Sequence, residues 1–198
     1  MAYTTKKYPL EGKLQGISDD EIQQHRDVLY AGYINKLNEI ENRLTEVDRK
    51  SANPTYSEYG ELRRQQTFAY NGSVLHELYF ENLGGKGGNP DGTVKDLVTK
   101  RWGSVDQWQD DFRACGTAAR GWAMLAYSPW DHEVHNFLLD THNQNVPVGV
   151  IPLLVLDVYE HAYTIDYGVK RAPYLDAFMK NVNWDVVNKR AEIVRKFT

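Results

Sequence analysis

The chain contains 198 residues, of which 41% are hydrophobic and 12% are aromatic. This length suits one large domain or two small ones, and the apolar content is sufficient for a substantial core. The 23 basic and 27 acidic residues give a formal net charge of −4, so the composition offers no basic footprint for nucleic acid.

The first predicted helix begins at the capping sequence Ser18-Asp19-Asp20-Glu21. Apolar residues then recur with helical spacing, through Leu29, as far as Val47. His25 falls on this inward stripe, and Tyr33 lies two turns further along it. The sequence therefore predicts a long helix with a buried imidazole near its start.

A second long helix is predicted from about Tyr56 to Leu83, and its inward stripe includes His76. Gly84-Gly85 ends this helix, and a glycine-rich loop follows. Two antiparallel helices with a short connection form a hairpin, which would bring His25 close to His76.

The second half of the chain opens with two shorter helices, and the second of them begins at the capping sequence Ser104-Val105-Asp106-Gln107 and runs through Ala114. The periodicity then changes, and three strands are predicted over residues 122–127, 134–141 and 151–159, with a turn at residues 128–131. Further helices are predicted after Ala172-Pro173 and after Asn183-Trp184.

The predicted fold class is α+β. A long N-terminal helical hairpin (residues 1–88) precedes a C-terminal domain (residues 89–198) with a small three-stranded antiparallel sheet flanked by helices. The hairpin would carry two histidines, and the second domain an aspartate and a histidine.

A cluster of metal-ligand residue types can be assembled from these elements. Asp157 and His161 lie four residues apart, directly after an apolar run. A carboxylate and an imidazole at the end of a buried strand are costly unless they are compensated, and a metal ion compensates them by taking both as ligands. Each histidine taken singly is more readily a hydrogen-bonded core residue, but His25, His76, Asp157 and His161 together favour a metal site.

Three neutral imidazoles and one carboxylate would give the site a charge of −1. Nitrogen and oxygen ligands suit iron, manganese or zinc, whereas a closed structural zinc site usually contains thiolates. Cys115 is the only cysteine, so a thiolate site and an intrachain disulfide are both excluded. This composition favours a reactive metal and a reducing compartment.

The first eight residues contain no apolar signal-peptide core, and no window reaches the about 18 apolar residues of a membrane span, so a cytoplasmic protein is expected.

The residues around the candidate ligands resemble those of one family. The sequence from Asp157 to Tyr163 resembles the Asp-x-Trp-Glu-His-Ala-Tyr signature of the iron/manganese superoxide dismutases. His25 with Tyr33 eight residues later, and the segment around His76, resemble the two ligand helices of that family. Gly121-Trp122-Ala123 and Asn183-Trp184-Asp185 resemble further family segments in the same order, so the resemblance covers nearly the whole chain.

The resemblance implies an enzyme that converts superoxide to dioxygen and hydrogen peroxide with one cycling Fe or Mn ion per chain. The ligands would be His25, His76, Asp157 and His161, at the junction of the two domains. It also implies a homodimer or tetramer, with superoxide as the small anionic substrate and with neither nucleic acid nor membrane as a partner. Iron or manganese, and dimer or tetramer, are left open.

The family places a glutamine close to the metal, either on the second ligand helix or on a strand. Gly72 occupies the helix position here, so the segment from Asp140 to Asn145 is the alternative source. Gln144 is our first choice and His142 the second, because on a strand both side chains would point to the same face.

Other roles follow from the resemblance alone. Tyr33 would stand at the mouth of the substrate channel, and Trp122 and Tyr159 would line the metal pocket and keep it dry. Arg171 would attract the anionic substrate. Each of these side chains has a structural alternative, as a packed aromatic residue or as an ordinary surface arginine.

Glu160 would cross a dimer interface to the partner's His161 and fix the tautomer of that imidazole. The family often has a histidine that joins the channel tyrosine to the partner's Tyr163; here Leu29 stands in its place. Tyr159 replaces the tryptophan of the signature, and Met124 replaces a second strand tryptophan, so the chain resembles a divergent member.

Two other classes of function compete with dismutation. The first is a catalytically silent metal-binding or interaction protein of the same fold; the presence of all four ligands argues against it, because a scaffold has no reason to retain them. A hydrolase would need a general base, and the sequence shows no free carboxylate pair at suitable spacing. An oxygenase usually has two histidines and one carboxylate, and a third histidine would take one of its open positions.

Overall fold

The computed structural model describes residues 2–196. Its helices are α1 (Asp19–Gln23), a π-helical segment (Gln24–Tyr30), α2 (Ala31–Glu46), α3 (Glu58–Glu81), α4 (Gly92–Trp102), α5 (Val105–Ala118), α6 (Thr164–Tyr167), α7 (Arg171–Lys180) and α8 (Trp184–Ala191). Its strands are β1 (Trp122–Ser128), β2 (Glu133–Leu139) and β3 (Ile151–Asp157). Short 3₁₀ turns lie at Arg49–Ser51, Glu160–Ala162 and Glu192–Lys196. The predicted α+β fold class is confirmed.

The N-terminal hairpin is capped by serines at both of its long helices. The Ser18 hydroxyl accepts a hydrogen bond from the Glu21 backbone N–H at 3.1 Å, and the Ser57 hydroxyl accepts one from the Gly60 N–H at 3.0 Å. The Glu21 carboxylate does not complete the capping box predicted at this position. Instead, it accepts a hydrogen bond from the backbone N–H of Ile165 at 2.9 Å, which ties α1 to α6.

A continuous α-helix was predicted for the first long helix, but part of it has a different hydrogen-bond pattern. Residues 24–30 form a π-helix, which places one extra residue in a turn and rotates the helix face. Tyr30 is therefore buried together with His25, whereas Leu29 is only partly buried. The extra residue keeps both His25 and the following apolar residues of α2 directed towards the core.

The sheet has the order β2-β1-β3, and both pairings are antiparallel. All seven residues of the central strand β1 are buried, and its first residue, Trp122, pairs with Asp157 at the end of β3. Two predicted strand ends are wrong: β2 stops at Leu139 rather than at residue 141, and β3 stops at Asp157 rather than at residue 159. The residues after each strand bend away, because they form the functional site rather than the ladder.

The two halves of the chain share one hydrophobic core, which runs from the hairpin to α8. Asn82, at the end of α3, donates to the Val155 carbonyl of β3 at 2.7 Å, and its own carbonyl accepts from the Asn183 N–H at 2.6 Å. The domain boundary at residue 88 stays a prediction. Within residues 2–196, every helix is too short or too polar to cross a bilayer.

Candidate metal centre

Four elements bring the predicted ligands together. His25 comes from the π-helical segment, His76 from α3, Asp157 from the end of β3 and His161 from the following 3₁₀ turn. One potential ligand atom of each residue lies within 4.8 Å of the others. Asp157 Oδ2 is 3.2 Å from Nε2 of His25, 3.5 Å from Nε2 of His76 and 3.2 Å from Nε2 of His161.

Asp157 is held so that one carboxylate oxygen faces the imidazoles. The Tyr159 backbone N–H donates to Oδ1 at 2.9 Å, and the Tyr174 hydroxyl donates to the Asp157 carbonyl at 2.7 Å. Tyr174 is in turn 3.1 Å from the hydroxyl of Tyr79, which is also fully buried. These contacts fix the Asp157 backbone and leave Oδ2 for the three histidines.

The backbone of α3 determines the tautomer of His76. Nδ1 of His76 lies 2.6 Å from the Gly72 carbonyl, and because a carbonyl only accepts, Nδ1 must carry the proton. Nε2 then presents a lone pair to the cluster. This buried nitrogen has no hydrogen-bond partner in the described chain, which is costly unless a cation binds there.

Burial and the local charges set the protonation of the cluster. Burial lowers the pKa of His25 and of His76, so both are neutral and can donate lone pairs. Burial opposes the charge on Asp157, but the neighbouring His161 and His25 outweigh it and hold the pKa of that carboxyl well below its usual range. For His161 burial is likewise outweighed, and the charge of Asp157 raises its pKa.

A proton on His161 would offset the charge of Asp157, and a cation bound by both side chains would take the place of that proton. The donor set consists of three nitrogens and one oxygen, three of the four side chains are fully buried, and one nitrogen is unsatisfied. These properties fit a divalent or trivalent metal of the iron, manganese or zinc type.

Aromatic rings enclose the cluster. The Tyr33 ring lies 5.2 Å from that of His76, and the Trp122 ring lies 5.0 Å from it at a right angle. The Tyr159 ring stacks on His161 at 5.1 Å. Burial raises the pKa of Tyr33 and of Tyr159 to about 12, so both hydroxyls stay protonated. The rings predicted to line the pocket therefore surround the ligands.

The structure places Gln144 and His142 differently with respect to the ligand cluster. Neither residue lies on a strand, because β2 ends at Leu139. Gln144 is exposed, whereas His142 is fully buried and its ring lies 5.7 Å from that of His76. The prediction that both side chains point to one face was wrong, because the predicted strand extended two residues too far.

One ring nitrogen of His142 is hydrogen-bonded, and the other has no hydrogen-bond partner in the described chain. The Trp122 indole N–H donates to Nδ1 at 2.9 Å. Because an indole N–H only donates, Nδ1 must be the acceptor and Nε2 must carry the proton. Nε2 is buried and has no partner in the described chain, so the ring holds an unused donor beside the ligand cluster.

Comparison with known proteins agrees with this geometry. The model of the C-terminal domain of iron/manganese superoxide dismutases matches residues 90–190. An iron superoxide dismutase of Aquifex aeolicus is 46% identical over 188 residues, covering 92% of this chain and 88% of the relative. The chain belongs to the iron/manganese superoxide dismutase family.

Other relatives in the family carry either metal in their names. An iron superoxide dismutase of Cupriavidus metallidurans is 40% identical over 93% of both chains. A manganese superoxide dismutase of Haloferax volcanii is 35% identical over 89% of this chain and 87% of the relative. Similarity therefore supports iron or manganese as the metal without distinguishing them.

Two residues that the family resemblance placed near the substrate have other surroundings. The Arg171 guanidinium donates to the Ala119 carbonyl at 2.6 Å and lies 3.3 Å from the Thr117 carbonyl, so it caps the end of α5. Tyr163 is 3% exposed and stacks on Tyr174 at 5.2 Å. Both side chains are thus engaged within the fold. The roles of Arg171 in steering substrate and of Tyr163 in the surroundings of the metal stay predictions.

Glu160 is exposed and next to His161, at the surface of the chain. A cavity of about 320 Å³ lies beside His161 and is lined by Glu21, Val28 and Leu29, among others. Val28 is 59% exposed and Ile165 is 50% exposed at the same surface. Leu29, which replaces the histidine found in many family members, therefore lines this cavity. Its apolar side chain cannot relay a proton.

Sequence analysis missed several residues that shape the site. Phe68 lies 4.5 Å from the His142 ring, and Asn71 donates to the His142 carbonyl at 2.9 Å. Both occupy the face of α3 near Gly72. Both residues lie within four positions of Gly72 on the predicted helix, and this proximity was the available sequence signal. Their partner His142 lies in a loop, and hydrophobic periodicity does not predict where a loop residue packs.

Proposed function

We propose that this chain binds one Fe or Mn ion through His25, His76, Asp157 and His161 and dismutates superoxide. The observation that carries this proposal is the set of four ligand atoms within 4.8 Å of one another, with the buried Nε2 of His76 left unsatisfied. When bound, the metal supplies reversible one-electron chemistry between its trivalent and divalent states.

The protein supplies the environment for that chemistry. Neutral His25 and His76 present lone pairs, and the Asp157 carboxylate offsets part of the metal charge. The buried aromatic rings around the cluster keep bulk water away, which strengthens every electrostatic interaction inside.

His142 acts in this proposal as the hydrogen-bond donor that the family draws from a glutamine. Its Nε2–H is buried without a partner on a ring 5.7 Å from that of the ligand His76, and Trp122 keeps the ring in the donating tautomer. A hydrogen-bond donor beside a metal stabilises a more negatively charged molecule next to that metal. It would therefore adjust the redox potential of a bound metal.

Substrate approach is proposed along the hairpin. A cavity of about 630 Å³ opens between α2 and α3 and reaches Tyr33 and Phe68. Phe68 in turn contacts His142. Tyr33 therefore separates the cavity from the ligands, and its protonated hydroxyl can donate to an entering anion.

Dimerisation is proposed to complete the site. Glu160 is exposed beside His161, and apolar Val28 and Ile165 are exposed nearby. A second copy would cover these side chains and bring its own Glu160 to the partner's His161. A tetramer would repeat this contact. We also propose a cytoplasmic location and an antioxidant role, because the single Cys115 fits a reducing compartment.

The experiment is superoxide consumption by the chain reconstituted separately with Fe, Mn and Zn, with elemental analysis of each preparation. We expect catalysis with Fe or Mn at about one ion per chain, and none with Zn, which has no redox chemistry. Stoichiometric Fe or Mn without superoxide consumption would contradict the proposal and favour a silent metal-binding protein of the same fold.

A further inference from the structure

His142 lies in a loop that has no regular hydrogen-bond ladder. Residues 140–145 form bends after β2, and Asn143, Gln144 and Asn145 are exposed. Yet His142 is fully buried, and only one edge of its ring is free. Something other than secondary structure must hold this residue at a fixed place.

Two side-chain hydrogen bonds attach the loop to α3. Asn71 Nδ2 donates to the His142 carbonyl at 2.9 Å, and Asn143 Nδ2 donates to the Thr67 hydroxyl at 3.0 Å. Thr67 and Asn71 lie four residues apart, so both are on one face of the helix. Between them, Phe68 packs its ring 4.5 Å from that of His142.

The same helix carries a metal ligand. His76 follows Asn71 by five residues on α3, and its Nδ1 is fixed by the Gly72 carbonyl. Gly72 also leaves space for the loop, since a Cβ there would lie 3.1 Å from Cδ2 of His142. The loop residue and the ligand are therefore attached to one rigid element, although they are far apart in sequence.

We propose that Asn71 is a positioning residue, which clamps the His142 backbone to α3 and so sets the position of the His142 Nε2 donor relative to the ligand His76. The Trp122 hydrogen bond fixes the tautomer of the ring, and the Asn71 hydrogen bond fixes its location. This inference rests on the proposed function only for its catalytic consequence; the clamp itself is a property of the chain.

The test compares Asn71→Ala with Asn35→Ala, an exposed asparagine on α2 for which the described chain shows no side-chain hydrogen bond. Thr67→Val serves as a second variant, because it weakens the same attachment without touching Asn71. The first measurement is long-range ¹H–¹⁵N NMR of histidine-labelled, metal-free chain, with the His142 signals assigned by their loss in His142→Ala.

The wild type and Asn35→Ala should show one His142 tautomer, protonated at Nε2. In Asn71→Ala and Thr67→Val, the loop is no longer held against α3, so the ring leaves its Trp122 hydrogen bond part of the time, and we expect averaging with the second tautomer. In the metal-loaded proteins, the midpoint potential of Asn71→Ala should move in the same direction as that of His142→Ala, and turnover should fall about threefold to tenfold, as for loss of one neutral hydrogen bond. When His142→Ala is already present, adding Asn71→Ala should change neither the midpoint potential nor the turnover further.

Wild-type tautomer and potential in both Asn71→Ala and Thr67→Val would overturn the clamp. An additive effect of Asn71→Ala in the His142→Ala background would also overturn it, because Asn71 would then act by another route. An inactive wild-type holoprotein would instead contradict the proposed function, while the tautomer measurement would still decide the clamp.

Discussion

The carbonyl of Gly72 accepts a hydrogen bond from Nδ1 of His76 at 2.6 Å, one helical turn further along α3. This single contact makes Nε2 the free nitrogen of the imidazole and directs it at Asp157, 3.5 Å away. The same glycine lies against Tyr33 and His142, where no side chain would fit without a shift. Gly72 therefore shapes both the ligand and the wall of the pocket.

Adding a methyl group at Gly72 should disturb this packing. In Gly72→Ala, the Cβ would lie 3.0 Å from Cδ1 of Tyr33 and 3.1 Å from Cδ2 of His142. We expect a stability loss of about 1 kcal/mol or more, because overpacking outweighs the better helix propensity of alanine. Turnover should fall as well, since both displaced rings border the site.

Gly32→Ala on α2 is the matched control, because a Cβ there meets nothing within 4 Å. Its stability should stay the same or rise by up to about 1 kcal/mol. Denaturant unfolding of both variants measures the difference. Equal stability changes for the two substitutions would show that Gly72 is not needed for close packing.

Removing a predicted ligand should remove the metal and the activity together. His76→Ala or Asp157→Ala leaves the remaining ligand atoms without a complete donor set, so metal affinity should fall by more than about a hundredfold. His135→Ala is the control, because the described contacts of His135 are with Asp131 and Phe137, both on the β1–β2 hairpin. Elemental analysis and superoxide consumption check the outcome. Full turnover with stoichiometric metal in either ligand variant would exclude this site.

His142 and Gln144 should respond differently to substitution. His142→Ala removes the free Nε2–H beside the ligands and should lower turnover by about tenfold or more, as for loss of a positioned donor. His142→Gln supplies another donor and should retain more activity. Gln144→Ala should stay within about twofold of wild type, because Gln144 is exposed. A larger loss from Gln144→Ala than from His142→Ala would reverse the assignment.

The proposed dimer makes a prediction for Glu160. In Glu160→Gln, the partner's His161 loses a carboxylate contact, so the dimer should dissociate at higher protein concentration and metal retention should fall about tenfold or more. Glu46→Gln, at the exposed end of α2, is the control. Analytical ultracentrifugation across a concentration series measures the association. A Glu160→Gln variant with wild-type association and metal content would remove Glu160 from the interface.

The metal-free chain should lose stability as the pH falls from 7 to about 4. Burial lowers the pKa of His142 from 6.5 to about 4, and burial also lowers the pKa of His25 and of His76. Well above pH 6.5 these histidines are neutral in both the folded and the unfolded chain, so their protonation does not change the free energy of unfolding. Below it, the unfolded chain binds protons that the fold excludes, and His142 alone contributes a loss of about 3 kcal/mol by pH 4.

His161 opposes this trend, because its pKa is raised and the fold retains its proton to higher pH. Its contribution is fully present below its unfolded pKa and disappears as the pH rises through the folded value. Comparison of wild type with His142→Ala isolates the His142 contribution from that of His161. Denaturant unfolding at pH 7 and at pH 4.5, for wild type and His142→Ala, measures the slope. Equal slopes would show that His142 is not held neutral in the fold.

Sequence patterns predicted the helical hairpin because apolar residues recur with the period of the helix over several turns. The capping serines Ser18 and Ser104 mark local hydrogen bonds, which depend on neighbouring residues only. The spacing of Asp157 and His161 after an apolar run likewise carries its meaning locally. These features were accessible because each is encoded within about ten residues of sequence.

Other features depend on contacts between distant segments. The π-helical turn at residues 24–30 follows from packing that favours Tyr30 over Leu29 in the core, and helix periodicity alone does not reveal it. Arg171 was assigned to substrate by resemblance, and the sequence does not show that its guanidinium also hydrogen-bonds to a carbonyl at the end of α5. A free surface charge and a helix cap look the same in a sequence.

The amino-acid sequence by itself determined the fold class, the family and which four side chains offer ligand atoms, because period and spacing are properties of the chain. Only the tertiary structure decided that His142 rather than Gln144 stands beside those ligands. The physical reason is that a loop has no period: His142 is buried because Asn71 and Trp122 bind it from two other elements, and those contacts exist only once the chain has folded.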